Sequence, residues 1–165
     1  MAKVFKRPAI LQDKTTFCAG CGHGIIVKAI ACVIEELGLE EDLIGACCVG
    51  CGMSVKNSIG FDYVQAPHGR AAAVAAAMKK VLPDNIVLSY QGDGDAGSIG
   101  IAETIYAAKR NENITVIFVN NGVYGMTGGQ TAPTSLDDQK PVTSRYGTDY
   151  SVFGKPLELA EMLAT

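Results

Sequence analysis

IVLSYQGDGD, residues 86–95, places a short apolar run directly before two glycine–aspartate pairs. The run favours a β-strand, and residues 99–110 follow with Ile101, Ile105 and Ala108 at helical spacing, which predicts one buried helix face. The predicted order is strand, glycine loop, helix. Such a loop lets backbone N–H groups approach an anion closely, and the start of the helix adds a favourable partial charge.

A second predicted strand also ends on polar residues. Residues 114–119 read ITVIFV, and the sequence NNG follows at 120–122. Because the carboxyl ends of parallel strands gather at one edge of a sheet, we expect Asp93 and Asn121 to lie close together. Mg²⁺ prefers such oxygen ligands and completes its octahedral shell with phosphate oxygens and water. The two segments therefore predict a site for magnesium and a diphosphate.

Two other interpretations of these segments stay open at this point. The glycine–aspartate pairs and the NNG at 120–122 are each also typical of simple polar turns. Gly92, Gly94 and Gly97 also satisfy the glycine spacing of a dinucleotide-binding loop. That loop needs an acidic residue at the end of the next strand, where this chain has two asparagines, so the dinucleotide interpretation is the weaker one.

The six cysteines include two C-x-x-C pairs, Cys18 with Cys21 and Cys48 with Cys51. The chain does not begin like a secretory signal, so we predict a reducing cytoplasm in which such pairs bind metal or act in redox chemistry. Four thiolates suit a tetrahedral zinc or an iron–sulfur cluster, and free thiols are the third possibility. Cys32 lies in an apolar helical pattern and is predicted to be a small core residue.

These motifs together resemble the thiamine-diphosphate-binding beta subunits of 2-oxoacid:ferredoxin oxidoreductases, especially the branched-chain 2-oxoacid (2-ketoisovalerate) type. The resemblance covers nearly the whole chain. It rests on five blocks in order, FCAGCGHG at 17–24, GCGMS at 50–54, PHGR at 67–70, GDGD at 92–95 with Ile99-Gly100, and NNGVYGMTGGQ at 120–130. The resemblance implies an α/β fold of the diphosphate-domain type, with a mainly parallel sheet and helices on both faces.

The resemblance also implies a set of residues that hold thiamine diphosphate and Mg²⁺. Asp93, the Asn121 side chain and the Val123 carbonyl would bind Mg²⁺. The residues implied to lie along the cofactor are His68, Gly69, Gly92, Asp93, Gly94, Asp95, Asn121, Val123, Gly125, Met126 and Thr127. His68 is a candidate for a catalytic role, His23 for a polar contact, and Met126 would wall a pocket for an aliphatic 2-oxoacid. The glutamate that activates the cofactor would come from a partner subunit.

For the cysteines, the resemblance favours a [4Fe–4S] cluster bound by Cys18, Cys21 and Cys51. In relatives the fourth cysteine comes from a C-terminal region, and no cysteine follows Cys51 in this chain. Cys47 or Cys48 is therefore a candidate for the fourth ligand. The other outcomes are a ligand from outside the chain and a chain that holds no stable cluster.

The implied activity is oxidative decarboxylation of a 2-oxoacid to an acyl-CoA, with electrons passing through iron–sulfur clusters to ferredoxin. The implied partners are an alpha subunit with a pyrimidine domain, further ferredoxin-like or gamma subunits, and ferredoxin itself. 2-Oxoacid and coenzyme A would be the substrates. Two alternatives come from other classes: a non-redox thiamine-diphosphate 2-oxoacid decarboxylase subunit, and a non-catalytic metal-binding or assembly module.

Composition limits the remaining possibilities. The 165 residues suit one domain, residues 1–165, which we expect to lack a C-terminal extension present in relatives. A net charge of −3 with 19% charged residues offers no basic surface for nucleic acid. No apolar run approaches the roughly 20 residues of a membrane helix. We therefore predict a cytoplasmic protein that works as a hetero-oligomer.

The remaining predictions concern element bounds. They are an irregular arm over 1–16, a helix over 24–37 closed by Gly38, strands over 43–49 and 63–66, an alanine-rich helix over 70–82, and a last helix over 156–164 that exposes Glu158 and Glu161. The polar loop 128–148 is long for a compact domain, which favours a lid or a partner-binding segment.

Overall fold

The computed structural model describes residues 6–164, and its centre is a four-stranded sheet between two layers of helices. The elements are α1 Gly22–Leu37, β1 Leu43–Cys47, β2 Asp62–Gln65, α2 Ala71–Val81, β3 Ile86–Gly92, α3 Ile101–Lys109, β4 Thr115–Val119, β5 Val123–Tyr124, β6 Gln130–Thr131, α4 Tyr150–Phe153 and α5 Leu159–Ala164. A 3₁₀ helix, Cys51–Asn57, follows β1, and a π-helical turn, Asp95–Ile99, precedes α3.

The sheet has the strand order β2-β1-β3-β4, and all of its neighbours are parallel. Parallel strands need crossover connections, which α2 supplies between β2 and β3 and α3 supplies between β3 and β4. β5 and β6 form a separate antiparallel pair. The predicted α/β fold, mainly parallel with helices on both faces, is confirmed.

Apolar side chains fill both faces of the sheet. On one face, α1 contributes a buried stripe spaced three and four residues apart, Val27, Ala31 and Ile34, which packs in one cluster with Leu43, Cys47, Leu88 and Tyr90. On the other face, Ala75 of α2 packs against Ala46 and Val87. The small alanine side chains let α2 lie close to the sheet, as the alanine-rich sequence predicts.

The predicted elements exist, with shifted ends. The first helix starts at Gly22 and ends at Leu37, and Gly38 closes it in the left-handed conformation that favours glycine. β1 stops at Cys47 instead of residue 49, and the final helix runs only from Leu159, after an additional short helix at Tyr150–Phe153. Glu158 and Glu161 are exposed as predicted. Residues 6–16 contain no helix or strand, and residues 1–5 of the predicted arm lie outside the described residues.

Two predictions about buried helix faces are wrong. In α3 the buried residues are Thr104 and Ala107, whereas Ile105 is exposed. The Thr104 hydroxyl donates to the carbonyls of Ala96 (3.1 Å) and Gly100 (3.0 Å), and this pairing satisfies it in the interior. Cys32 of α1 is only half-buried and belongs to no core cluster, because the core stripe of that helix lies on its other side.

The glycine–aspartate motif also differs from the predicted loop. β3 passes directly into a helical turn at Asp93, and Gly94 has helical backbone angles of φ −65° and ψ −33°. The turn then widens into the π-helical segment. The motif is therefore a strand-to-helix junction whose first helical turn faces the end of the sheet.

Candidate active site

A cleft of about 270 Å³ opens at the carboxyl ends of β1, β3 and β4. The residues that the sequence predicts for the cofactor line it, with the exception of Gly69: they are His68, Gly92, Asp93, Gly94, Asp95, Asn121, Val123, Gly125, Met126 and Thr127. His23, Cys48 and Cys51 line the same cleft. Three strand ends thus bring together motifs that lie up to a hundred residues apart, as expected for ligand sites of open α/β sheets.

Asp93 lies at the floor of the cleft with 3% of its surface exposed. Its Oδ1 accepts a hydrogen bond from the Gly94 N–H at 2.8 Å. Its Oδ2 accepts two, from the Gly122 N–H at 2.8 Å and from the Thr134 hydroxyl at 2.7 Å. An ionised carboxylate has about four acceptor positions, two on each oxygen, so Oδ1 keeps one position for a cation while Oδ2 is filled.

Asn121 lies two residues beyond the end of β4 and directly before Gly122, whose N–H donates to Asp93. The side-chain Oδ1 of Asn121 accepts a hydrogen bond from the Val123 N–H at 3.3 Å, which orients the amide in the turn before β5. Gly122 lies between Asn121 and Val123 and has φ +70°. A Cβ on Gly122 would lie 2.9 Å from Oε1 of Gln139. The left-handed backbone angle favours glycine at this position, and a larger residue would also have to displace the Gln139 side chain.

The loop 128–148 packs against this turn and is not a free lid. Ser135 Oγ donates to the Gly122 carbonyl at 2.7 Å, and Gln139 Nε2 donates to the same carbonyl at 3.2 Å. Thr134 and Ser135 are buried. The loop therefore holds Gly122 from one side, while its Thr134 holds Asp93 from the other.

The Asp95 carboxylate forms hydrogen bonds with three neighbouring residues. Its Oδ1 lies 2.6 Å from His68 Nδ1 and accepts the Gly69 N–H at 2.7 Å, and its Oδ2 accepts from Gln91 Nε2 at 2.9 Å. This contact orients the imidazole ring, with Nδ1 turned toward Asp95 and Nε2 on the other side of the ring. Gly69 thus sits behind the cleft, where it contacts Asp95 instead of lining the wall.

Tyr124 closes the cleft next to Gly94. A Cβ on Gly94 would lie 2.4 Å from Cε1 and 2.6 Å from Cδ1 of the tyrosine ring, so the ring occupies the space that any side chain would need. The Tyr124 hydroxyl donates to Ser98 Oγ at 3.0 Å. By contrast, a Cβ on Gly92 or Gly50 would meet nothing within 4 Å, and both glycines line the cleft. These two leave backbone accessible to a bound group.

His23 forms a buried wall of the cleft. Its Nδ1 lies 2.6 Å from the Tyr90 hydroxyl, and its ring stacks on Phe17 with centroids 4.6 Å apart and planes 4° from parallel. Burial lowers the pKa of His23, and burial also raises the pKa of Tyr90, with Cys48 and Cys21 adding to the latter effect. Both side chains are therefore held neutral at neutral pH, and His23 has a fixed ring orientation.

Of the three cysteines of the predicted cluster, Cys51 lines the cleft, and Cys21 and Cys18 lie near Cys51. Cys18 is exposed, Cys21 and Cys51 are half-buried, and all six cysteines are free. Burial raises the pKa of Cys51, and the neighbouring Cys21 and Cys18 raise it further. Cys21 and Cys18 therefore lie close enough to Cys51 to interact with it electrostatically. Within residues 6–164, however, no three His, Cys, Asp or Glu side chains converge closely enough to hold a metal ion.

Cys48 and Cys47, the two candidates for a fourth ligand, are both fully buried. Burial, followed by the charge of Asp95, raises the pKa of Cys48 to about 12. Burial also raises the pKa of Cys47, which belongs to the core cluster on the α1 face of the sheet. Burial and the raised pKa values of both thiols disfavour them as metal ligands in this conformation.

Sequence reasoning missed several residues that shape the site. They are Gln91, which holds Asp95, Tyr124, which limits Gly94, and Thr134, Ser135 and Gln139, which hold the Asp93 and Gly122 region. Gln91 could have been noticed as a polar residue in an otherwise apolar strand. The three loop residues have no comparable signal, because they lie in an irregular segment without periodicity.

Comparison with known proteins identifies the family of the chain. Residues 45–164 match the family model described as thiamine pyrophosphate enzyme, C-terminal TPP binding domain. Among curated proteins, the ketoisovalerate oxidoreductase subunit VorA of Methanothermobacter thermautotrophicus is 44% identical, over 98% of this chain and 36% of its own length. The 2-oxoglutarate synthase subunit KorB of Methanocaldococcus jannaschii is 41% identical, over 80% of this chain and 49% of its own length. The chain therefore spans about a third to a half of these relatives.

A solved structure shows the same fold. The 2-oxoglutarate:ferredoxin oxidoreductase from Magnetococcus marinus, with 2-oxoglutarate, coenzyme A and succinyl-CoA bound, superposes with a TM-score of 0.87 and 30% identity, over 98% of this chain and 55% of that one. In the described part of the present chain, no helix is both long and apolar enough to cross a membrane. With its match over residues 45–164, the chain belongs to the family of C-terminal TPP-binding domains of thiamine pyrophosphate enzymes.

Proposed function

We propose that this chain is the thiamine-diphosphate-binding part of a 2-oxoacid:ferredoxin oxidoreductase. The enzyme would convert a 2-oxoacid and coenzyme A to an acyl-CoA and CO₂, and pass electrons through iron–sulfur centres to ferredoxin. One observation carries the proposal: a chain of the TPP-binding family gathers its acidic, amide and glycine motifs around a single cleft.

The cleft fits Mg²⁺ and a diphosphate by its donor chemistry. Asp93 offers one carboxylate position on Oδ1, and the Asn121 side chain and the Val123 carbonyl would complete a set of hard oxygen ligands. Gly92 and Gly94 would lie along the diphosphate, with Gly125, Met126 and Thr127 on the opposite wall. When bound, thiamine diphosphate supplies an electron sink beside the 2-oxoacid carbonyl, and Mg²⁺ neutralises its diphosphate.

The protein's own contribution is to position groups and to exclude water. Asp95 orients His68, whose Nε2 would accept a proton or hydrogen bond inside the cleft. Met126 would form an apolar wall for an aliphatic 2-oxoacid. The carboxylate that activates the cofactor would come from the pyrimidine domain of an alpha subunit, and further ferredoxin-like or gamma subunits would complete the electron path.

A [4Fe–4S] cluster would be bound by Cys51, which lines the cleft, and by the neighbouring Cys18 and Cys21. The described residues do not gather these thiols into a complete metal site, so the fourth ligand would come from a partner, or from Cys48 after it moves and loses its proton. Residues 1–165 would form one domain, and a reducing cytoplasm would keep the six thiols free.

The first experiment is an anaerobic purification of the chain, alone and co-expressed with its partner subunits, followed by analysis of iron, sulfide, zinc and thiamine diphosphate in one sample. Bound thiamine diphosphate with about four irons per chain is the expected result, because a [4Fe–4S] cluster contains four. Thiamine diphosphate without iron or zinc would instead favour a non-redox decarboxylase subunit. A chain that binds no thiamine diphosphate, even with its partners, would favour the non-catalytic module and refute the proposal.

A further inference from the structure

The hydrogen bond from Thr134 to Asp93 gives the loop 128–148 a role at the metal site. Thr134 has 2% of its surface exposed, and its hydroxyl lies 2.7 Å from Asp93 Oδ2, forty-one residues away in the sequence. None of the five sequence motifs includes Thr134. A buried threonine that donates to the predicted magnesium ligand suggests more than a packing role.

The geometry shows what this hydroxyl does to the carboxylate. Thr134 and the Gly122 N–H together fill both acceptor positions of Oδ2, so that oxygen cannot take a cation. Among the described residues, Oδ1 accepts only the Gly94 N–H, so its second acceptor position stays free. Without the threonine hydroxyl, Oδ2 would regain an open position, and the carboxylate would no longer be restricted to a single ligating oxygen.

The same loop fixes the second half of the site. Ser135 and Gln139 both donate to the carbonyl of Gly122, the residue after Asn121, and Ser135 Oγ also accepts the Ala132 N–H at 2.9 Å. Consecutive loop residues, Thr134 and Ser135, thus hold Asp93 and the Asn121–Gly122 turn at once. Hydrogen-bonded partners of metal ligands commonly change metal affinity by 10- to 100-fold when they are removed.

We propose that Thr134, supported by Ser135, is a positioning residue for the divalent cation of this site, and that it sets Mg²⁺ affinity by fixing which oxygen of Asp93 is free to bind. This inference rests on the proposed function. It concerns the loop 128–148, which would act as a fixed brace of the magnesium site in place of the predicted lid.

The test is a Mg²⁺ titration of the full chain with its partner subunits and saturating thiamine diphosphate. Binding is measured by isothermal titration calorimetry. Thr134→Val removes the hydroxyl and keeps the shape, and we expect it to raise the Mg²⁺ Kd by about 10- to 100-fold. Thr134→Ser keeps the donor and should stay within about threefold of the wild type. Mn²⁺ bound in place of Mg²⁺ gives a second readout, since its electron paramagnetic resonance spectrum should change in Thr134→Val and not in Thr134→Ser.

Thr148→Val is the matched control. Thr148 is a buried threonine near the end of the same loop, and its hydroxyl donates to the Leu136 carbonyl, away from Asp93. The Thr148→Val variant should be less stable than the wild type but should bind Mg²⁺ with unchanged affinity. If Thr134→Val does not fold, Ser135→Ala replaces it and should weaken Mg²⁺ binding by about tenfold.

Three outcomes would overturn the inference: unchanged Mg²⁺ affinity in Thr134→Val, or in Ser135→Ala if that variant must replace it, or an equal loss of affinity in Thr148→Val. Each of these leaves the proposed function intact, because the wild type still binds. Failure of the wild type itself to bind Mg²⁺ with thiamine diphosphate would instead contradict the proposed function, and the role of Thr134 with it.

Discussion

The contact between Gly94 and Tyr124 allows a sharp test of the site geometry by the substitution Gly94→Ala. Two effects of opposite sign compete at this residue. Because Gly94 has helical backbone angles, alanine alone would stabilise the folded chain by about 0.5–1 kcal/mol. The added Cβ, however, would lie 2.4 Å from Tyr124 Cε1, whereas carbon atoms prefer separations of roughly 3.5–4.0 Å. The ring must therefore move by about 1 Å.

The cost of that movement decides the sign. Forcing an extra carbon into a packed position costs about 1–3 kcal/mol, and the moved ring would also lose its hydrogen bond to Ser98, worth about 1 kcal/mol. With an overpacking cost near the middle of its range, Gly94→Ala should lower the free energy of unfolding by about 2 kcal/mol. For a chain of this size the melting temperature should then fall by about 4–8 °C.

A double-mutant cycle measured by urea unfolding separates the two effects. In a Tyr124→Ala background the clash is absent, and Gly94→Ala should then stabilise the chain by about 0.5–1 kcal/mol. Gly24→Ala is the matched control, since Gly24 lies in α1 and a Cβ there meets nothing within 4 Å. The packing of Tyr124 on Gly94 would be refuted if Gly94→Ala stabilised the otherwise wild-type chain. It would also be refuted if Gly94→Ala changed the free energy of unfolding equally with and without Tyr124.

Three further predictions concern the cofactors and pH. Asp93→Ala should abolish Mg²⁺-dependent thiamine diphosphate binding, since the charged ligand is lost, and unchanged affinity in calorimetry would contradict the magnesium assignment. Cys18→Ser should bleach the visible absorbance of any iron–sulfur cluster and Cys32→Ser should not; equal effects would mean that the two cysteines are assigned wrongly. For the metal-free chain, the raised pKa of Cys48 means that from pH 9 to about 12 the unfolded state loses this proton and the folded state keeps it. The free energy of unfolding should therefore fall as the pH rises, by up to about 1.4 kcal/mol per pH unit from this group. In Cys48→Ala the urea midpoint should fall less steeply between pH 8.5 and 10.5 than it does in the wild type.

The sequence predicts the position of the cleft because that position depends on topology alone. Apolar runs that end in Gly92-Asp93 and in Asn120-Asn121 imply parallel strands, and parallel strands bring their carboxyl ends to one edge. No knowledge of side-chain packing is needed for that step. The same reasoning explains why His68, which follows β2, also reaches the cleft.

The orientation of α3 could not be predicted in this way. Its apolar residues Ile101 and Ile105 follow a helical period, but the period does not say which side faces the sheet. The structure buries Thr104, whose hydroxyl donates to the carbonyls of Ala96 and Gly100, while the Gly100 carbonyl also accepts the Thr104 N–H. A hydrogen-bonded threonine can therefore lie on the buried face of a helix whose isoleucine Ile105 is exposed.

The arrangement around Asp93 also explains what the glycines of the two motifs are for. Gly122 donates its N–H to Asp93, and this contact ties the turn of Asn121 directly to the other half of the site. Gly94 leaves room for Tyr124, and Gly122 adopts a backbone angle that other residues rarely take. Protein donors therefore fix the carboxylate and the amide turn during folding, before any cation arrives. A site ordered in advance loses less entropy when its ligand binds, so at the proposed magnesium site the glycines would contribute to affinity by permitting close backbone approach, although neither offers a side-chain ligand.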